Sequence, residues 1–271
     1  MKLPRFQVGS GSAPGYYHWR GYRNNQDAVF VGASDHGLVA LVSDGCSQGA
    51  HSEVGAQLMS RFIVHRTLHM LACNQDDRLW DLNDQADRRL FLDTLQRASE
   101  HYLNSVICGL GGDRIQTIQS LFLFTILGAV VTPTLSFVFG QGDGVYQIND
   151  DYTAIDENNQ PHYLGYKMLP KDMLNIEQEK MVFHEHASIA TKSLRFLVLG
   201  TDGADVLQVR AQEKLKDGTS IGGLQQFAKE NRYVEQHTAI NRRLNVINVI
   251  NRKVHDDTSL IVIKREGEEN E

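Results

Sequence analysis

Residues 121–144 read LFLFTILGAVVTPTLSFVFGQGDG. The stretch from Leu121 to Gly140 holds no charged residue and is long enough to cross a bilayer. Its composition argues otherwise. Val, Thr, Phe and Leu dominate, and Thr132-Pro133-Thr134 interrupts the middle with turn chemistry. Two buried strands joined by that turn fit these residues better than one helix. The flanks offer no interfacial anchors, so the reading is no membrane span.

Working outward, the same grammar recurs. Residues 28–33 (AVFVGA) and 37–43 (GLVALVS) read as short apolar strands separated by Ser34-Asp35-His36. Residues 195–200 (RFLVLG) and 259–264 (SLIVIK) read as two more. Ser52 to Leu71 reads as a helix that Ser52 can cap, with Glu53 in its first turn and Val54, Leu58, Phe62 and Leu68 at helical spacing. Residues 84–107 read as a second, with Leu90, Leu92, Leu95 and Leu103 inward and Gly109-Leu110-Gly111-Gly112 ending it. Helical patterns return at 219–230 and 233–250, and the polar stretch 150–160 reads as an exposed loop. Strands in groups and helices in groups predict an α+β fold with antiparallel sheets. Residues 1–14 read as an irregular arm, 15–265 as a single domain, and 266–271 as an acidic disordered tail.

Composition narrows the class. The 271 residues carry Lys+Arg 27 against Asp+Glu 33, a net charge of −6, with 41% hydrophobic and 22% charged residues. This is ordinary globular chemistry with enough chain for one core. The acidic balance argues against sequence-independent nucleic-acid binding. Three cysteines, Cys46, Cys73 and Cys108, do not suggest a disulfide framework and suit a reducing, cytoplasmic setting. The opening MKLPRFQVGSGSAPG has no apolar core of a signal peptide.

The informative feature is aspartate placement. Three apolar strands run into Asp-Gly: Asp44-Gly45, Asp143-Gly144 and Asp202-Gly203. Asp27 and Asp256-Asp257 flank strands from the other side. One Asp-Gly is an ordinary hairpin signal. Five such sites bring carboxylates to one rim if the strands lie side by side. Such a cluster needs a cation to neutralise it. Oxygen donors without companion Cys and His point to Mg²⁺ or Mn²⁺ rather than zinc.

These residues resemble the bacterial branch of the metal-dependent protein phosphatases of the PP2C type. The likeness rests on five ordered motifs: GYYHWRGYRNNQDA ending at Asp27-Ala28, VSDGCSQGAHSEVGA around Asp44, Thr125 followed by Gly142-Asp143-Gly144, GTDGADVL around Asp202, and HDDTSLIVI around Asp256. It implies an α-β-β-α sandwich of two antiparallel sheets flanked by helices, with the metal site at one end. It implies that Asp44 bridges two ions, that the Gly45 carbonyl ligates one, and that Asp202 and Asp256 complete the second site. Asp27 would act in or near the first coordination sphere, and Asp143 with Asp202 would hold a third ion. The implied reaction is direct hydrolysis of phosphoserine or phosphothreonine in protein substrates by metal-activated water. A cognate Ser/Thr kinase is the implied counterpart, and a monomer is the expected state.

Three departures stand out. Gln26 occupies the usual Glu position. Tyr22 occupies that of the phosphate-binding Arg, for which Arg20 or Arg23 could substitute, Arg20 being favoured. Cys46 stands where eukaryotic members carry a His. Two rivals follow: a non-catalytic relative that binds phosphoprotein, and a hydrolase of small phosphate esters. His65, His69 and Cys73 recur on one helix face and His184 and His186 on one strand, but neither set has a full ligand complement. The segment 150–190 lies where family members carry a flap beside the site.

Overall fold

The computed structural model describes residues 5–77, 80–157, 160–173 and 181–267. Ten strands and eight α-helices follow one another in this order: β1 (Phe6–Ala13), α1 (Tyr16–Arg20), β2 (Ala28–Ser34), β3 (Gly37–Ser43), α2 (Ser52–Asp77), α3 (Gln85–Leu110), α4 (Arg114–Leu121), β4 (Ile126–Val131), β5 (Leu135–Gln141), β6 (Gly144–Ile148), β7 (Asp151–Ile155), β8 (His184–Ala190), β9 (Phe196–Gly200), α5 (Asp205–Val209), α6 (Gln225–Lys229), α7 (Arg232–Glu235), α8 (Ala239–Asn245) and β10 (Thr258–Arg265). One sheet runs β1-β10-β9-β6-β7 and the other β2-β3-β4-β5-β8. Every strand pair is antiparallel.

The apolar runs explain the layering. β3 and β4 are buried along their whole length, so both faces must be covered. Leu38, Ala40, Val42, Leu127, Ala129 and Val131 face the other sheet, where Leu197, Leu199, Ile261 and Ile263 meet them. Val39, Leu41, Ile126 and Val130 face α2 and α3, packing with Met59, Ile63, Phe91 and Leu95. On the far side, Val198, Leu260 and Val262 pack against Leu207, Phe227, Ile240 and Leu244. The result is helix, sheet, sheet, helix. The uncharged stretch Leu121–Gly140 holds the β4–β5 hairpin from Ile126 on, as its turn residues predict, while Leu121 ends α4. Among the described residues, no helix is long and apolar enough to cross a membrane.

Several local expectations change. Residues 6–13 are not an irregular arm: they form β1, paired with β10 from Phe6↔Arg265 to Ala13↔Thr258. The glycine that made this stretch look irregular answers a packing demand, since a Cβ on Gly9 would lie 2.0 Å from the Tyr233 carbonyl oxygen. The expected loop 150–160 contains β7, an edge strand paired with β6. Helix α4 was absent from the periodicity reading; Asp113 caps it by accepting the Gln116 N–H. Leu90 is exposed rather than inward. Ser52 opens α2, but its hydroxyl donates to the Cys46 carbonyl instead of capping the helix. The acidic tail lies outside the described residues from 268 on, as does 174–180 of the flap segment.

Candidate active site

The register brings the five aspartates to one end of the sandwich. Ala28 pairs with Ser43, so Asp27 before β2 and Asp44 after β3 are neighbours. Leu127 pairs with Gly140, Val145 with Gly200 and Leu260 with Gly200. Asp143, Asp202 and Asp256 therefore leave the same ends of adjacent strands.

Backbone and hydroxyl contacts aim these carboxylates. Asp44 N–H donates to Thr125 Oγ1 at 3.0 Å, and Thr125 N–H donates back to the Asp44 carbonyl at 2.8 Å. Thr201 Oγ1 donates to Asp27 Oδ2 at 2.7 Å while accepting the Ser259 N–H at 3.0 Å. The rim is thus built on hydroxyls immediately beneath it.

Its electrostatics are unfavourable without a cation. Burial, reinforced by Asp257, raises the Asp27 pKa well above the carboxylate range. Burial and the charges of Asp27, Asp202 and Asp256 do the same to Asp44. Asp202 is pushed up to about 7 by burial, then by Asp256 and Asp143. Asp143 is pushed up to about 6 by burial, with Glu157, Asp156 and Asp256 adding repulsion. Asp27 Oδ1 and Asp143 Oδ1 are buried with no hydrogen-bond partner. Such orphaned oxygens are costly in isolation. Among the described residues, no three Asp, Glu, His or Cys side chains close around a common point, so the carboxylates line a rim rather than a cage. An oxygen-only donor set with orphaned atoms and mutual repulsion fits hard divalent cations, which would relieve both.

The remaining expected residues fall as follows. Gly45 sits directly after Asp44 and bridges to Phe124. Arg20 ends α1, exposed, and among the described residues no hydrogen bond or ion pair links it to the carboxylates. Arg23 donates to the Ser47 carbonyl at 2.8 Å, which ties the first motif to the loop after Asp44. Gln26 turns its amide into that same loop, donating to the Gly49 carbonyl at 2.9 Å and to Ser52 Oγ at 2.8 Å. Cys46 lies in the loop, with its N–H on the Leu123 carbonyl.

Three residues escaped the sequence reading. Asp257 is almost fully buried and accepts from the backbone N–H groups of Gly15 at 2.7 Å and Gln26 at 2.6 Å, with His18 Nδ1 at 2.8 Å. The Asp256-Asp257 doublet was visible, but nothing local separates the inward member from the rim member. Thr201 was visible only as the residue before Asp202. Tyr163 gave no signal at all. Its phenol is buried beside the Cys46 thiol, with Asp44 and Asp143 close enough to hold its pKa higher still.

Comparison with known proteins places the fold and the family. No curated protein sequence matches the chain. Solved structures do. Serine/threonine phosphatase Stp1 from Staphylococcus aureus is 13% identical, with TM-score 0.54, covering 98% of this chain and 98% of that one. An arginine-to-glutamate variant of a bacterial serine phosphatase is 13% identical, with TM-score 0.57, covering 97% of this chain and 99% of that one. At such identity these likenesses speak for the fold, two antiparallel sheets flanked by helices. The family described as protein phosphatase 2C matches residues 14–246, most of the chain, and to that family the protein belongs.

Proposed function

We propose that the protein is a Mg²⁺- or Mn²⁺-dependent phosphatase that hydrolyses phosphoserine and phosphothreonine in protein substrates. The observation that carries this reading is the rim itself: five aspartates gathered at one end of the sandwich, two with buried oxygens that lack a partner. Asp44, the Gly45 carbonyl, Asp202 and Asp256 would hold two ions, with Asp27 in or beside their coordination and Asp143 with Asp202 offering a third position. Bound there, the ions would supply Lewis-acid activation of a water and neutralise charge on the phosphoryl oxygens.

The chain's own residues supply orientation. Thr201 fixes one Asp27 oxygen and leaves the other buried without a donor. Thr125 fixes the backbone on which Asp44 and Gly45 sit. The Tyr163 phenol, its pKa raised by burial and by Cys46, keeps its proton beside the carboxylates. Direct attack by water requires no nucleophilic side chain, so Cys46 is a loop residue. Arg20 is the proposed phosphate ligand on the exposed side. Substrates would be phosphoproteins of a cognate kinase, the setting cytoplasmic and the chain a monomer that binds neither nucleic acid nor membrane.

The test is p-nitrophenyl phosphate hydrolysis with EDTA, Mg²⁺ or Mn²⁺, comparing wild type with Asp202→Ala. Metal-dependent turnover lost in the variant supports the reading. A folded wild type with no turnover in any metal would favour the non-catalytic relative, a reading that draws on Gln26 turning its amide away into the loop. Preference for free nucleotides over phosphopeptides would favour the small-ester hydrolase.

A further inference from the structure

The segment between β1 and β2 carries an unusual surface. Tyr17, Trp19 and Tyr22 are 61%, 51% and 98% exposed. Three arginines, Arg20, Arg23 and Arg252, are exposed among them. Among the described residues, no carboxylate lies within ion-pair distance of any of the three. The acidic neighbour Glu53 is already engaged by Asn24 and His51. A chain with net charge −6 thus presents a local positive face.

The surface is ordered. The Arg252 guanidinium lies 4.9 Å above the Tyr16 ring, and Tyr16 stacks on Trp19 at 6.1 Å. Tyr17 stacks on His255 at 4.5 Å, the residue before Asp256. Pro14, Trp19, Arg20, Tyr22, Arg23 and Asn25 contribute to a cavity of 680 Å³. Among the described residues, Tyr22 and Arg252 are two of three non-glycine residues with positive φ, at 54° and 56°. Tyr22 follows the end of α1, a left-handed position that glycine or asparagine ordinarily fills. A bulky aromatic held there in full solvent contact gains nothing from packing. Backbone strain retained in this way marks functional surfaces.

The segment that carries the surface is anchored beside the rim aspartates: Tyr17 stacks on His255, which precedes Asp256, and Gln26 precedes Asp27. Asp257 clamps both ends of the segment, through Gly15 and Gln26, beside Asp256.

We propose that the face formed by Trp19, Tyr22, Arg20, Arg23 and Arg252 docks the substrate protein, taking an extended segment with acidic residues and an aromatic or aliphatic side chain close to the phosphorylated residue. Arg23 and Arg252 read its carboxylates, Arg20 being left for the phosphate, and the exposed rings cover its apolar side chain. This rests on the phosphatase reading above and names the substrate class for the same site.

The experiment uses the full chain in EDTA, so that nothing is hydrolysed. Fluorescence anisotropy follows two labelled phosphoserine peptides that share one Phe, one flanked by Asp and Glu, the other by Lys. The acidic peptide should bind at least tenfold more tightly, and the preference should shrink in high salt. Trp19→Ala and Tyr22→Gly should weaken it at least fivefold. Tyr22→Gly should keep or raise the melting temperature, because glycine suits that φ. Both variants should keep p-nitrophenyl phosphate turnover in Mn²⁺ within twofold of wild type. Equal binding of the two peptides, undiminished binding by both variants, or tighter binding of a single-stranded oligonucleotide than of the acidic peptide would overturn the docking surface. Absence of p-nitrophenyl phosphate turnover in the wild type would instead strike the phosphatase reading.

Discussion

Asp257 and His18 form a nearly inaccessible pair, His18 Nδ1 lying 2.8 Å from Asp257 Oδ2. The pair holds the first motif against the last strand. Its partner in sequence, Asp256, lies on the exposed rim. Adjacent aspartates therefore differ in kind: Asp257 is an interior anchor, whereas Asp256 stands in solvent at the rim.

Removing the anchor should be costly. Asp257→Ala strands the Gly15 and Gln26 N–H groups and the His18 ring in a buried setting. The expected loss is about 3–5 kcal/mol, the range for breaking a buried pair from one side. Urea denaturation measures it, and a loss below 1 kcal/mol would contradict the anchoring role.

The same pair gives a pH signature. Its hydrogen bond to Asp257 raises the His18 pKa above 6.5. The folded state therefore holds the proton more tightly than the unfolded chain. This stabilisation is fully present below 6.5 and is lost as pH rises through the folded value. Melting temperatures between pH 5.5 and 8.5 should fall more steeply for wild type than for His18→Gln, in which the group cannot titrate.

The carboxylate rim should make the metal-free protein frail at alkaline pH. Asp202 ionises near 7 when folded, against 3.8 for the ordinary group. The folded state thus binds the extra proton, and stability falls as pH rises from about 4 through 7. In EDTA at pH 8, Asp202→Asn should be more stable than wild type, on the order of 1 kcal/mol, since it removes a repelling charge. Mn²⁺ should reverse the order by stabilising wild type through binding. Calorimetric scans with and without Mn²⁺ decide; a variant no more stable than wild type in EDTA would contradict the repulsion.

Thr201→Val removes the hydroxyl that fixes Asp27 while keeping the side-chain shape. Partners behind a metal ligand typically contribute about 10- to 100-fold in metal affinity. The midpoint of Mn²⁺ activation should rise by that order, measured on p-nitrophenyl phosphate, with retained folding checked by circular dichroism. An unchanged midpoint would show that Thr201 does not position Asp27 for metal.

The segment beside Tyr163 should tolerate no added bulk. A Cβ at Gly165 would lie 2.1 Å from the Phe122 carbonyl oxygen. Gly165→Ala should destabilise by about 1–3 kcal/mol, as overpacking does. Since Tyr163 is two residues away, activity should fall along with thermal stability.

How much was legible follows from how local each cause is. β2, β3, the β4–β5 hairpin, β9 and β10 are continuous apolar runs bounded by turn residues, and they stand where the pattern puts them. The five aspartates were legible because each sits at the end of such a run. β1 was not, because Gly9 is there for the Tyr233 backbone, which is distant in sequence. β7 was not, because an edge strand with one face exposed can be polar and still pair. Leu90 looked inward by spacing, yet the buried stripe of α3 runs through Phe91, Leu92, Leu95 and Leu103. Thr201 and Tyr163 matter only through neighbours that the fold brings together.

The pairing of β1 with β10 also sets an order of events. The Gly15–Asp257 hydrogen bond joins positions 242 residues apart, and the first motif cannot be fixed until β10 arrives. Closing so long a loop is slow, since its entropy is lost before any contact rewards it. The β2–β3 and β4–β5 hairpins can form early with Asp27, Asp44 and Asp143 already near their strand ends, whereas the rim is completed only by the final strand. A chain still emerging from the ribosome would hold most of the rim aspartates before the rim itself exists.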